Sequence, residues 1–275
     1  MQKVVVNCKW LPDNFELNIE YPLKVVVWID RLPNTEIPEG EMRIFVVWEP
    51  NIKNVMIAKI RQPLYDYLFT YHEELLNIKK SVFFLGATVF VRDPISGDKE
   101  FGVSTVVGSK KGGGFKGYAM RHELWFRQDE IVIPKSFYIT GSHLYESSVI
   151  NTDYGNLNIG YALRIGERKE PIFKEMFHIA IENCFLKHWY TEKIIDCFRS
   201  HVVPIYVGAS AISEEFNKDG IISVSSVDEI ISVCNNLTED DYFSRMDAMN
   251  DNFNISERYM SFNNMLEDKI LEVLP

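Results

Sequence analysis

Apolar residues gather along this chain in short β-branched blocks, with stretches of helical spacing between them. Val4 to Val6, Val25 to Ile29 and Ile44 to Trp48 each read as a buried strand, the last ending at Glu49-Pro50. Ile52 to Ile60 follows with weak helical spacing. Tyr67 to Thr70, Val82 to Leu85 and Thr88 to Val91 supply three more strands, with a short turn over Glu73 to Leu76. Beyond the turn formers of Asp93 to Asp98 the pattern begins again. Strands are predicted over Phe101 to Gly108, Ser136 to Thr140, Phe177 to Ile181, Val202 to Val207 and Ile221 to Val224. Helices are predicted over Tyr118 to Gln128, from Glu192 onward, and over Val227 to Asn236, Glu239 to Asn250 and Met260 to Leu274. This alternation predicts an α/β chain in two halves, 1–95 and 96–255, with a final helical segment, 256–275, that packs back on the first half. The polar, Asn- and Gly-rich region from Glu146 to Arg168 reads as a mobile loop.

The stretch from Phe177 to Ser210 is the sharpest of these units. A strand ends abruptly at Glu182-Asn183 and a polar loop follows. Thr191 then suits the N-cap of a helix with Glu192 and Lys193 in its first turn, and a second strand runs to Gly208. In such a βαβ unit the loop and the helix N-terminus lie at the carboxyl edge of a parallel sheet, where open α/β sheets bind ligands. A lysine in the first turn opposes the helix dipole, and an anion bound there reverses the sign of that penalty.

Composition narrows the classes. With 275 residues and 46% hydrophobic content the chain can bury one large core or two modest ones. Its net charge of −10 argues against nucleic-acid binding, so any phosphate site must be built locally. Cys8, Cys184, Cys197 and Cys234 lack CxxC spacing and lie in or beside apolar runs, which favours reduced thiols. The amino terminus reads as a strand rather than a signal peptide, and no stretch has the length of a membrane span. The expectation is a cytoplasmic protein, soluble or peripheral to a membrane.

Three constellations carry candidate chemistry. Asn183 is placed to orient a ligand, Trp189 to stack on a base or ribose, Glu192 to accept from sugar hydroxyls and Lys193 to neutralise a phosphate; a solvated first turn after a capped loop explains the same residues. The loop Ser109 to Gly117, with Lys110, Lys111 and Lys116, leads into a helix carrying Arg121 and has the makings of a diphosphate cradle, although it contains neither GxGxxG nor GK[ST]. Glu49, at a strand terminus, has the chemistry of a general base if a reacting hydroxyl comes within hydrogen-bond reach. No HExxH or GxSxG occurs, and no DxD follows a strand in a loop, so neither a metal nor a nucleophile is indicated.

The segment IENCFLKHWYTEKIIDCFRSHVVPIYVGAS resembles the signature of the α-1,3-fucosyltransferases, glycosyltransferase family 10, in which a strand ending in EN is followed by an aromatic residue, TEK, a helix and a strand of the type VPIYxG. VSTVVGSKKGGGFKGYAMRHEL is similar to the strand, loop and helix whose arginine meets the diphosphate, and FVVWEPN to the acceptor-side segment that holds the base. The resemblance implies a GT-B fold, two Rossmann-like domains facing a central cleft, with the donor bound by the second. It implies transfer of L-fucose from GDP-fucose, with inversion, to a hydroxyl of a glycan acceptor in α-1,3 linkage. On the residues it implies Glu49 as catalytic base and Arg121, Asn183, Trp189, Glu192 and Lys193 as donor-binding, with Lys116 as the rival to Arg121. No cofactor is required on this basis, and a divalent cation would at most stimulate. Two other readings stay open: a GT-B transferase of another nucleotide sugar, and an inactive GT-B module that binds glycan.

Overall fold

The computed structural model of the protein describes residues 1–8, 17–30, 41–95, 97–108, 110, 115–140, 149–158, 163–165 and 169–275. Lys111, the glycine triplet at 112–114 and Gly141-Ser142 lie outside these residues. The chain forms two compact units, the first from Met1–Ala87, Lys187–Trp189 and Ser261–Pro275, the second from Thr88–Leu186 and Tyr190–Met260. The division after Ala87 falls upstream of the Asp93 to Asp98 turn. Thr88 to Val91 is not a strand. Asp196 accepts the peptide N–H groups of Phe90 and Val91 at 2.8 and 3.0 Å, and Arg199 donates to the carbonyls of Val91 and Arg92 at 2.8 and 2.7 Å. Side chains thus satisfy the backbone groups that a ladder would otherwise pair, and they tie this apolar run to the second unit.

In the first unit β1 (Val5–Cys8), β2 (Lys24–Ile29), β3 (Glu41–Val47), β4 (Tyr67–Thr70) and β5 (Ser81–Phe83) form a parallel sheet in chain order. The period of two sends Val25, Val27, Ile29, Ile44 and Val46 to one face, where Phe262, Leu266 and Ile270 of the helix Phe262–Val273 join the same core. Phe45 and Val47 point to the other face and pack with Val55 and Ala58 of α1 (Ile52–Ile60). The helical spacing of α1 is weak in the sequence because its outer side is apolar too: Ile52, Met56 and Ile60 are exposed.

The second unit is built on β6 (Glu100–Gly108), β7 (Lys135–Thr140), β8 (Leu163–Ile165), β9 (Glu175–Ile181), β10 (Val203–Val207) and β11 (Ile222–Ser223), all parallel, in the spatial order β8-β7-β6-β9-β10-β11. All seven residues of β9 are buried, as expected of a central parallel strand, and this is why Phe177 to Ile181 reads as an unbroken apolar run. The chain steps outward from β6 to β8 and then returns past β6 to begin β9. That reversal is a topological switch point, and its carboxyl edge is where such sheets bind ligands. The helix α2 (Lys116–Phe126) follows β6 and α3 (Glu192–Arg199) follows β9.

Two local expectations need correction. The region read as a mobile loop holds an antiparallel hairpin, Val149–Thr152 with Gly155–Asn158, and also β8. Its turn is set by Gly155 at φ 135° and by Thr152, whose hydroxyl donates to the Gly155 carbonyl at 2.8 Å, so apolar periodicity carries little of the signal. The helix expected over Glu239 to Asn250 is two, Glu239–Phe243 and Met246–Ser256.

Candidate functional site

At the carboxyl ends of β6 and β9 the second unit encloses a cavity of about 310 Å³. Val106 and Gly108 of β6 and Ile179 to Ile181 of β9 form one wall, and Tyr118, Arg121, Lys169, Asn183, Glu192 and Lys193 supply its polar lining. The approach of α2 to the end of β9 depends on Gly117. Its N–H donates to the Asn183 carbonyl at 3.1 Å, and a Cβ at this position would overlap the carbonyl oxygen of Glu182.

That approach fixes Arg121. Its Nε and Nη2 donate to the Ile181 carbonyl at 3.0 and 2.6 Å, and Nη2 also to Asn183 Oδ1 at 2.6 Å. Nη1 has no protein partner among the described residues. Burial lowers the guanidinium pKa, with Glu182 acting the other way, and an arginine starts so high that it stays charged. Asn183 therefore acts on the arginine as well as lining the cavity.

Glu182 is fully buried and organises the start of α3. It accepts the N–H and the hydroxyl of Thr191, both at 2.8 Å, and Thr191 Oγ1 in turn accepts the Lys193 N–H as N-cap. Burial raises the pKa of Glu182, while Lys193, 3.7 Å away, opposes the rise. Lys193 Nζ lies 3.0 Å from both Glu192 Oε1 and Thr191 Oγ1. Burial disfavours its charge, but Glu192 and Glu182 outweigh burial and hold its pKa above the ordinary lysine value. Burial likewise works against the Glu192 carboxylate, yet Lys193 and Lys169 bring it down to about 2.

Lys169 is the residue that the sequence did not single out. Its ammonium stands 3.2 Å from Asp196 Oδ2, 3.7 Å from Glu192 Oε1 and 4.3 Å from the centre of the Phe90 ring. A signal for it exists in α3, where Asp196 interrupts the apolar run Ile194, Ile195, Cys197 and Phe198; a carboxylate on such a face needs a cation. Arg121, Lys169 and Lys193 thus surround one cavity, with Glu192 ionised between two of them. Behind them His178 stays neutral, its pKa lowered to about 3 by burial and by Lys169, and it shares a hydrogen bond of 2.8 Å with Ser104 Oγ.

The other candidates lie elsewhere. Trp189 belongs to the first unit, buried with its ring 4.9 Å from that of Tyr71, and does not line the cavity. Lys116 is exposed on the first turn of α2 and is also outside the lining, whereas Lys110 is part of it. Glu49 is exposed at the end of β3 in the first unit. Among the described residues no group of three or more His, Cys, Asp and Glu is arranged to hold a metal ion.

No protein-family model matches the chain. A segment of 66 residues is 32% identical to the α-(1,3)-fucosyltransferase FucT of Helicobacter pylori, covering 24% of this chain and 13% of that protein. In fold the chain is similar to an α1,3-fucosyltransferase solved with GDP-fucose, at 17% identity and a TM-score of 0.52 over 95% of this chain and 80% of the other. It is also similar to HepE of Anabaena in complex with UDP-glucose, at 9% identity and a TM-score of 0.60 over 91% and 79% of the two chains. TarM is a third such structure, at 10% identity and a TM-score of 0.56 over 90% of this chain and 54% of that one. The chain, with its two Rossmann-like units, has the GT-B glycosyltransferase fold and resembles the α-1,3-fucosyltransferases of glycosyltransferase family 10 in sequence as well as in fold.

Proposed function

We propose that the protein is an inverting glycosyltransferase that moves L-fucose from GDP-fucose to a hydroxyl of a glycan acceptor, in α-1,3 linkage. The observation that carries this function is the group of Arg121, Lys169 and Lys193 around one cavity at the switch point of the second unit. A nucleoside diphosphate gains charge as its bond to the sugar breaks. Cations already fixed in a partly dry cavity stabilise that charge without reorganising. Arg121, through Nη1, and Lys193 take the diphosphate oxygens. Ionised Glu192 accepts from hydroxyls of the sugar, with Lys169 holding its carboxylate.

Glu49 removes the proton from the acceptor hydroxyl as that oxygen bonds to the anomeric carbon. The bond to the diphosphate breaks in the same displacement, its electron pair leaves with the diphosphate, and the configuration inverts. A divalent cation would at most stimulate, since the protein's own cations meet the leaving group. Trp189 and Lys116 do not line this cavity and are assigned no contact with the donor in this reading. A cytoplasmic location agrees with four free thiols, and among the described residues no helix is long and apolar enough to cross a membrane.

The higher fold similarity of the UDP-glucose-bound HepE, 0.60 against 0.52, favours as second reading a different nucleotide sugar at the same cavity. A panel of nucleotide sugars, assayed for nucleotide release with a mixed glycan acceptor, decides between them. Release of GDP from GDP-fucose is expected. Release from a UDP-sugar alone would establish the second reading, and glycan binding without release from any donor would reduce the protein to a binding module.

A further inference from the structure

The end of β3 is held by a residue with no role in the steps above. Asp30 follows β2 in a left-handed backbone conformation, φ 57°, which few residues other than glycine, asparagine and aspartate adopt readily. Its own N–H donates to the Val46 carbonyl at 2.9 Å, binding it to the neighbouring strand. Its carboxylate accepts the peptide N–H of Trp48 at 2.8 Å, that of Glu49 at 3.0 Å and the side-chain amide of Asn54 at 2.9 Å. Pro50 follows at once and biases Glu49 toward extended backbone. A single carboxylate therefore gathers the two residues that follow β3 and the first turn of α1.

We propose that Asp30 is the positioning residue of Glu49: by gripping the N–H groups of Trp48 and Glu49 it fixes the backbone that presents the Glu49 carboxylate to the acceptor hydroxyl. The role rests on Glu49 being the base. Among the described residues the charged group facing Asp30 is Glu49 itself, and from α1 it meets the neutral amide of Asn54. Burial, with a smaller contribution from Glu49, pushes Asp30 up to about 7, against the pull of its hydrogen bonds. Ionisation of Asp30 tightens its hold on the N–H donors and raises the proton affinity of the nearby Glu49. Both effects strengthen the base as pH rises through neutrality.

The test compares the wild type with Asp30→Asn, which keeps an accepting oxygen and tolerates the left-handed backbone but cannot ionise. The kcat profile of the wild type should rise through an inflection near pH 7. In Asp30→Asn that inflection should vanish and kcat at pH 8 should fall by about tenfold to a hundredfold, with the donor KM unchanged. Asn54→Ala removes a bond that favours the charged form, so it should move the inflection to higher pH. Backbone amide NMR on the same proteins should show Trp48 and Glu49 titrating near pH 7 in the wild type and not in Asp30→Asn. An unaltered kcat profile in Asp30→Asn, or amides that titrate alike in both proteins, overturns the positioning role. Absence of turnover with every nucleotide sugar overturns instead the transferase reading on which the role of Glu49 rests. The amide titration, which needs no turnover, then shows whether the grip itself exists.

Discussion

Lys169 and Asp196 form the most consequential pair at the residue scale, because one partner lies wholly inside and the other lines the cavity. Asp196 is completely buried, and Lys169 is its cation. Removing the ammonium by Lys169→Met leaves a buried carboxylate uncompensated, which costs about 3 kcal/mol of stability. Urea unfolding should show that loss, and Lys169→Met combined with Asp196→Asn should recover most of it, since an amide oxygen still accepts the Phe90 and Val91 N–H groups. A single variant as stable as the wild type would contradict the pairing. Lys193, Glu192 and Asn183 were legible as a group because their spacing around one strand end and one N-cap is local in sequence, whereas Arg121, 62 residues from Asn183, was read separately from the glycine-rich loop and the helix that carries it. Lys169 was not legible, because its partner lies 27 residues away and nothing periodic surrounds it. Trp189 shows the opposite failure: adjacency in sequence to Thr191 places it near the site on paper, while its indole is buried with Tyr71 of the first unit.

At the scale of elements, the cavity exists because α2 starts hard against the end of β9. Gly117→Ala would place a methyl group into the Glu182 carbonyl, so α2 must withdraw and take Arg121 with it. The expected cost is about 1–3 kcal/mol in stability, typical of overpacking, together with weaker nucleotide binding. Thermal unfolding and a nucleotide titration on the same sample measure both, and normal binding by Gly117→Ala would show that Arg121 is not placed by this contact. The central strands were readable as continuous apolar runs, since strands covered on both faces need no alternation. The hairpin Val149–Thr152 with Gly155–Asn158 was not, because polar residues and a glycine turn specify it. Thr88 to Val91 has strand composition, but side chains of α3 take its backbone partners.

For the whole molecule, two parallel sheets with different strand orders account for the division of chemistry. The sheet of the first unit runs in simple chain order and carries Asp30 and Glu49 at the ends of β2 and β3. That of the second unit reverses between β6 and β9, and the reversal is where the cations collect. The α/β class followed from the alternation of patterns alone. The return of the carboxyl-terminal helix to the first unit was legible too, whereas the boundary after Ala87 and the share of Lys187–Trp189 in that unit were not, since turn-forming residues mark where a chain bends rather than where its contacts go. On the proposed function, the cavity of the second unit receives the diphosphate of a guanine nucleotide sugar. Isothermal titration of the full chain with GDP tests it most directly, with Lys193→Ala alongside. Saturable binding by the wild type, weakened by about tenfold or more in Lys193→Ala, is the predicted result; absence of GDP binding, or binding untouched by that substitution, would contradict it.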